Sequence, residues 1–150
     1  RLSLLRGHDD HEAEEVHDHD SLDFDPHVWM DPSLIATWTT EIAEALTEVD
    51  PGYRSYYEKR ASTLARELQA LDAWVRQEVA AIPRGDRILF TDHGMFGYFA
   101  KRYGFKVLET VMPGFSTTSE PSARHLAHLH EAIVEHSVPA IFVDVTASSR

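Results

Sequence analysis

The alternation of apolar and polar positions divides the chain into a helical stretch followed by an α/β stretch. Ile35, Trp38, Ile42, Ala45 and Val49 recur at the three-to-four-residue spacing of one buried helix face. Asp31-Pro32 opens that helix: the aspartate accepts backbone N–H groups as cap, and proline suits the first helical position because its missing N–H would have no partner there. Asp50-Pro51-Gly52 stops it. Residues 53–82 contain no Gly or Pro, and Tyr57, Ala61, Leu64, Leu68, Leu71, Val75, Val79 and Ile82 keep a single apolar stripe. At ~1.5 Å per residue this predicts a helix of roughly 45 Å, longer than a compact lobe of this size requires and long enough to bridge two lobes.

After Pro83-Arg84-Gly85 the period changes. Residues 88–91, 105–111 and 140–145 are short apolar runs of strand type, and residues 95–103 and 122–136 between them are helical. Gly104 follows the first of these helices, where a left-handed residue is commonly needed. The second helix is predicted to turn Leu126, Leu129 and Ile133 inward. Strand, helix, strand, helix, strand implies a parallel sheet with right-handed crossovers and a ligand site beyond the strands' carboxyl ends. His93 falls at that position after the first strand.

Composition narrows the function. The 150 residues are 43% hydrophobic, enough for a packed core. With 25 acidic against 14 basic residues the net charge is -11, which repels nucleic acid and anionic membrane surfaces and suits a cationic ligand. There is no cysteine, so a transition-metal site must use imidazole and carboxylate. No apolar run approaches the ~20 residues of a membrane-spanning helix, and no signal peptide opens the chain. The chain begins at Arg1 rather than Met and breaks off at Arg150 just after a strand-like run, so both ends are expected to be cut from something longer.

The candidate chemistry is histidine chemistry. His27 lies in DPHVWMDP, between two prolines and beside a capped helix start, where rigid flanks favour a preorganised ligand; the plainer reading is an ordinary histidine near a helix end. His93, in Thr91-Asp92-His93-Gly94, leaves a buried strand; its plainer reading is a capping or loop histidine. Residues 7–25, GHDDHEAEEVHDHDSLDFD, are nearly free of large apolar groups and read as a mobile loop. Within it His8, His11, His17 and His19 stand among carboxylates that concentrate cations, a composition suited to weak metal binding. A solvated acidic linker or the remnant of an added tag is the alternative. His125, His128, His130 and His136 do not converge on one helical face and read as solvated surface. Trp29, Trp38 and Trp74 read as packing. No HExxH, GxSxG or Gly-rich phosphate loop appears, so nothing demands an enzyme. Asp92 reads as a helix cap.

In order along the chain, the acidic His-rich loop, DPHVWMDP, the long Gly/Pro-free helix, ILFTDHGMFGYFAKRYGF, STTSEPSARHLAHL and IFVDVTASSR resemble the zinc and manganese solute-binding proteins of ABC transporters, the high-affinity zinc-uptake type especially. The resemblance covers nearly the whole chain. It implies a two-lobed α/β metal-receptor fold, with parallel sheets flanked by helices and a single long connecting helix, only partly present here. Residues 1–25 would be the acidic His-rich loop region, 26–52 the rest of the N-terminal lobe, 53–83 the connecting helix and 84–150 the first part of the C-terminal α/β lobe. It also implies that His27 and His93 are core metal ligands, that the loop histidines are an auxiliary zinc element, and that one histidine upstream and one carboxylate downstream complete the site outside these residues. Asp144 stands where relatives often show Glu, and Val145-Thr146 departs from the commoner small polar pattern, marking a divergent member.

The expected function is therefore an extracytoplasmic receptor, periplasmic or membrane-associated, that binds Zn2+ and delivers it to an ABC-transporter permease. Its signal or lipoprotein segment would lie outside this chain. Three alternatives remain at this point: a manganese (Mn2+) receptor of the same family, a zinc metallochaperone or buffer, and a zinc-dependent hydrolase.

Overall fold

The computed structural model describes residues 4–5, 24–112, 115, 122–138 and 140–143. Helix α1 (Pro32–Val49) begins as the sequence predicts: the Asp31 side chain accepts from the Ser33 backbone N–H at 2.8 Å and from its hydroxyl at 2.7 Å, with Pro32 at the first helical position. A 310 turn at Pro51–Tyr53 leads into α2 (Arg54–Ala80), whose 27 residues span about 40 Å. The two helices pack as a hairpin.

Their seam differs from the predicted face of α1. Ala43 and Thr47 are buried, whereas Ile42 is 57% and Val49 86% exposed. Ala43 and Ala61 both line the clefts between the two helices, and the bulkier row that carries the helical period stands more exposed on the flank. On α2 the predicted stripe holds at Val79, which is buried, and loosens at Leu64 and Leu71, both more than two-fifths exposed. Among the described residues no helix is long and apolar enough to cross a membrane.

The α/β unit follows. Strand β1 (Ile88–Thr91) pairs in parallel with β2 (Lys106–Thr110) in the register Ile88 to Lys106, Leu89 to Val107 and Thr91 to Thr110, with an irregularity between Leu89 and Thr91. On its other edge Thr91 forms a parallel bridge with Phe142, supported by Phe142 N–H to Phe90 C=O at 2.9 Å and Asp92 N–H to Phe142 C=O at 3.0 Å. β1 is thus central, and Phe90 and Thr91 have no exposed surface. The strand expected at 140–145 amounts, among the described residues, to this one bridge; Asp144 and Val145 lie outside them.

Helix α3 (Gly97–Tyr103) starts two residues later than the apolar pattern suggested, because Met95 N–H turns back to His93 C=O at 2.8 Å. It ends at Gly104 with φ +74°, a conformation that strains any residue with a Cβ. Helix α4 (Ala123–Glu135) is capped by the Ser122 hydroxyl, which accepts from His125 N–H at 3.1 Å. Of the three residues expected inward, Leu129 is buried and Leu126 is 47% exposed. Among the described residues α4 packs on the sheet chiefly along β2.

Asp72 fastens α2 to the α/β unit. Its carboxylate accepts two bonds from Arg102, Nε at 2.6 Å and Nη2 at 2.8 Å, one from the Tyr103 hydroxyl at 2.9 Å and one from Arg76 Nε at 3.1 Å. The Arg102 bonds, helped by Tyr103 and Arg76, hold this carboxyl well below its ordinary value of 3.8, while burial and Asp72 push the Tyr103 hydroxyl up to about 12. A carboxyl whose pKa is depressed on folding stabilises the fold above its unfolded pKa, and that contribution is lost as pH falls further. Asp72→Asn should therefore lower unfolding free energy by about 1.5 kcal/mol at neutral pH. In urea titrations the gap from wild type should narrow below about pH 4. A gap independent of pH would contradict the ionic origin.

Candidate metal centre

His27 and His93 are built in the same way. His27 precedes the 310 turn Val28–Met30 and is 7% exposed. One oxygen of Asp25 accepts its backbone N–H at 2.9 Å and meets its ring Nδ1 at 2.8 Å. His93 follows β1 and is 4% exposed. One oxygen of Asp92 accepts its N–H at 2.8 Å and meets Nδ1 at 2.9 Å, while the Thr91 hydroxyl donates to the His93 carbonyl at 2.8 Å. A carboxylate on Nδ1 places the ring proton there and leaves the Nε2 lone pair for a metal.

The fold brings the two rings together. Their centroids are 5.3 Å apart with the planes at 60°. An ion held at ~2.0–2.1 Å by both Nε2 atoms, at the tetrahedral angle, separates two imidazole centroids by about 5 Å. Trp29 packs edge-on against His27 at 5.3 Å, and Phe115 lies 6.1 Å from the same ring. Trp29 was expected to be packing, and what it packs on is the candidate ligand.

The other described histidines do not join this pair. His125 Nε2 lies 2.8 Å from the Thr110 carbonyl, and His128, His130 and His136 are exposed. His8, His11, His17 and His19 lie outside the described residues. Among the described residues no group of three or more His, Cys, Asp or Glu side chains forms a metal cluster. Among the described residues, His27 and His93 are the two imidazoles brought side by side here.

Sequence reasoning missed the two orienting carboxylates. Asp92 does not cap α3, whose first turn has no side-chain cap; it holds His93 instead. Asp25, at the end of the acidic stretch, is buried at 3% exposure. The available signal was an aspartate one or two positions before each histidine. Gly97 is a further unread requirement: a Cβ there would lie 2.6 Å from Asp25 Oδ2, and Asp25 cannot swing away without releasing His27. Gly97→Ala should weaken metal binding about tenfold, the usual scale for disturbing a partner of a ligating histidine. Competition titration of the full-length protein checks this, and unchanged affinity would contradict it.

A parallel α/β unit carrying His93, joined to a long-helix hairpin whose leading segment carries His27, is part of the metal-receptor fold. Residues 2–150 match the family described as zinc-uptake complex component A, periplasmic (ZnuA), and the chain belongs to that family. It is 37% identical over 122 residues to the zinc-binding protein TroA of Treponema pallidum, covering 81% of this chain and 39% of that protein. It is 35% identical over 127 residues to the manganese-binding lipoprotein MntA of Bacillus subtilis, covering 85% and 41%. Among solved structures, the laminin-binding adhesin Lmb of Streptococcus agalactiae, in a mutant form, superposes with a TM-score of 0.81 at 28% identity, covering 99% of this chain and 51% of that one. The chain spans about two-fifths of the length of the curated relatives it matches.

Proposed function

We propose that the chain is the metal-contacting part of an extracytoplasmic receptor that binds Zn2+ through His27 and His93 and delivers it to an ABC-transporter permease. The observation that carries this reading is the pair of buried imidazoles, each fixed through Nδ1, with centroids 5.3 Å apart. The remaining ligands come from parts of the protein outside these residues. Helix α2 is the connecting helix of the receptor, and a signal or lipoprotein segment takes the whole protein across or onto the membrane. The acidic loop with His8, His11, His17 and His19 collects additional zinc weakly.

The role is binding rather than catalysis. Asp92, which a hydrolase would need as a base, is committed to His93 Nδ1. Manganese is the second reading, favoured by the likeness to the manganese-binding lipoprotein. Imidazole argues for zinc, because manganese prefers oxygen-rich, higher-coordinate sites and lies lower in the divalent affinity order. Competition titrations on full-length protein with residues 7–20 deleted should show zinc preferred over manganese. His93→Glu should shrink that preference by weakening zinc. An unchanged or larger preference in the variant would place selectivity elsewhere, and manganese preferred by the unsubstituted protein would overturn the zinc assignment.

A further inference from the structure

We propose that Tyr98 and Arg102 of α3 are positioning residues for the metal centre, a two-point clamp that holds the segment carrying His27 against the element carrying His93. The proposal rests on the reading of His27 as a ligand. Tyr98 and Arg102 are one helical turn apart and share a face. The Tyr98 hydroxyl donates to the Asp25 carbonyl at 3.1 Å and accepts from Leu5 N–H at 3.0 Å, in a side chain only 3% exposed. Arg102 Nε lies 3.1 Å from Asp31 Oδ1. Asp25 and Asp31 are the two ends of the DPHVWMD segment, so one helix face grips both ends of the stretch that presents His27.

The clamp is itself fixed. Asp72 of α2 binds Arg102 through two bonds, so the guanidinium cannot drift from Asp31. Asp31 is also tied down, since the same carboxylate caps α1 through Ser33. α3 follows His93 in the chain after only a short turn. The separation of the two imidazoles is therefore set by protein contacts before any ion arrives, which spares the metal the cost of ordering them. A purely structural role for these side chains would lower stability without acting through His27.

A double-mutant cycle separates the two roles. Zinc affinity is measured by competition titration on full-length protein lacking residues 7–20, for Tyr98→Phe and Arg102→Gln, each alone and combined with His27→Ala. Tyr98→Phe keeps the ring in the core and removes only the hydroxyl, so it remains informative if Arg102→Gln does not fold. Each clamp variant should weaken zinc about tenfold with His27 present and less than twofold in the His27→Ala background. The clamp is overturned if the single variants bind zinc as wild type does, or if their loss persists undiminished without His27. If His27→Ala alone leaves zinc affinity intact, the ligand reading itself fails and the clamp falls with it.

Discussion

His27→Ala and His93→Ala are each expected to weaken zinc binding by the full-length protein at least a hundredfold, or about 2.8 kcal/mol. Disturbing the hydrogen-bond partner of a ligating histidine already costs 10- to 100-fold, so removing the ligand costs more. Alanine at either position also removes the ring that Asp25 or Asp92 orients, although the backbone N–H bond to the same carboxylate oxygen remains. Two controls make the result interpretable. Residues 7–20 must be deleted so that weak loop sites do not mask the loss, and His125→Ala should bind as wild type, because its Nε2 is committed to the Thr110 carbonyl. If calorimetry gives unchanged high-affinity binding in both His27→Ala and His93→Ala, the pair is not the metal centre, whatever its geometry.

How much of this was legible in the sequence varies with the range of the interactions involved. Local chemistry was readable: Asp31-Pro32 starts α1, Gly104 ends α3 in the left-handed conformation, and β1 occupies the run 88–91. Periodicity found the long helix but misjudged which side of its partner meets it. The apolar row through Ile42 and Val49 carries the 3.6-residue signal, whereas the seam is made by Ala43 and Thr47, which carry almost none. His27 and His93 could be nominated from their flanks, yet nothing in either segment states that they meet; that depends on α3 reaching back to Asp25 and Asp31. The resemblance supplied the convergence that local reading could not. Asp25 and Asp92 were hidden for a different reason: an acidic residue beside a loop or helix start has a common bland explanation, and only the shared oxygen on N–H and Nδ1 distinguishes an orienting carboxylate from a cap.

Glu67→Pro, in the middle of α2, should lower the unfolding free energy of the full-length protein by ~3 kcal/mol or more, because proline removes a helix N–H and its ring clashes with the carbonyl one turn earlier, that of Thr63. Glu67 lies along the groove that α2 shares with Thr39, Ile42 and Leu46 of α1, so a kink there also opens the helix seam. A domain stable by 5–15 kcal/mol survives such a loss, which leaves folded protein whose zinc affinity can be measured. That affinity should fall only a fewfold. The contacts that hold the His27 segment to the α/β unit run through Tyr98 and Arg102, and α2 joins them at Asp72, on the C-terminal side of the break. Urea unfolding and zinc competition on the same preparation test both halves of the argument. A melting curve that hardly moves would show that α2 does not support the fold as one continuous helix. A zinc loss as large as that of His27→Ala would show that the length of α2, rather than the face of α3, sets the spacing of the two imidazoles.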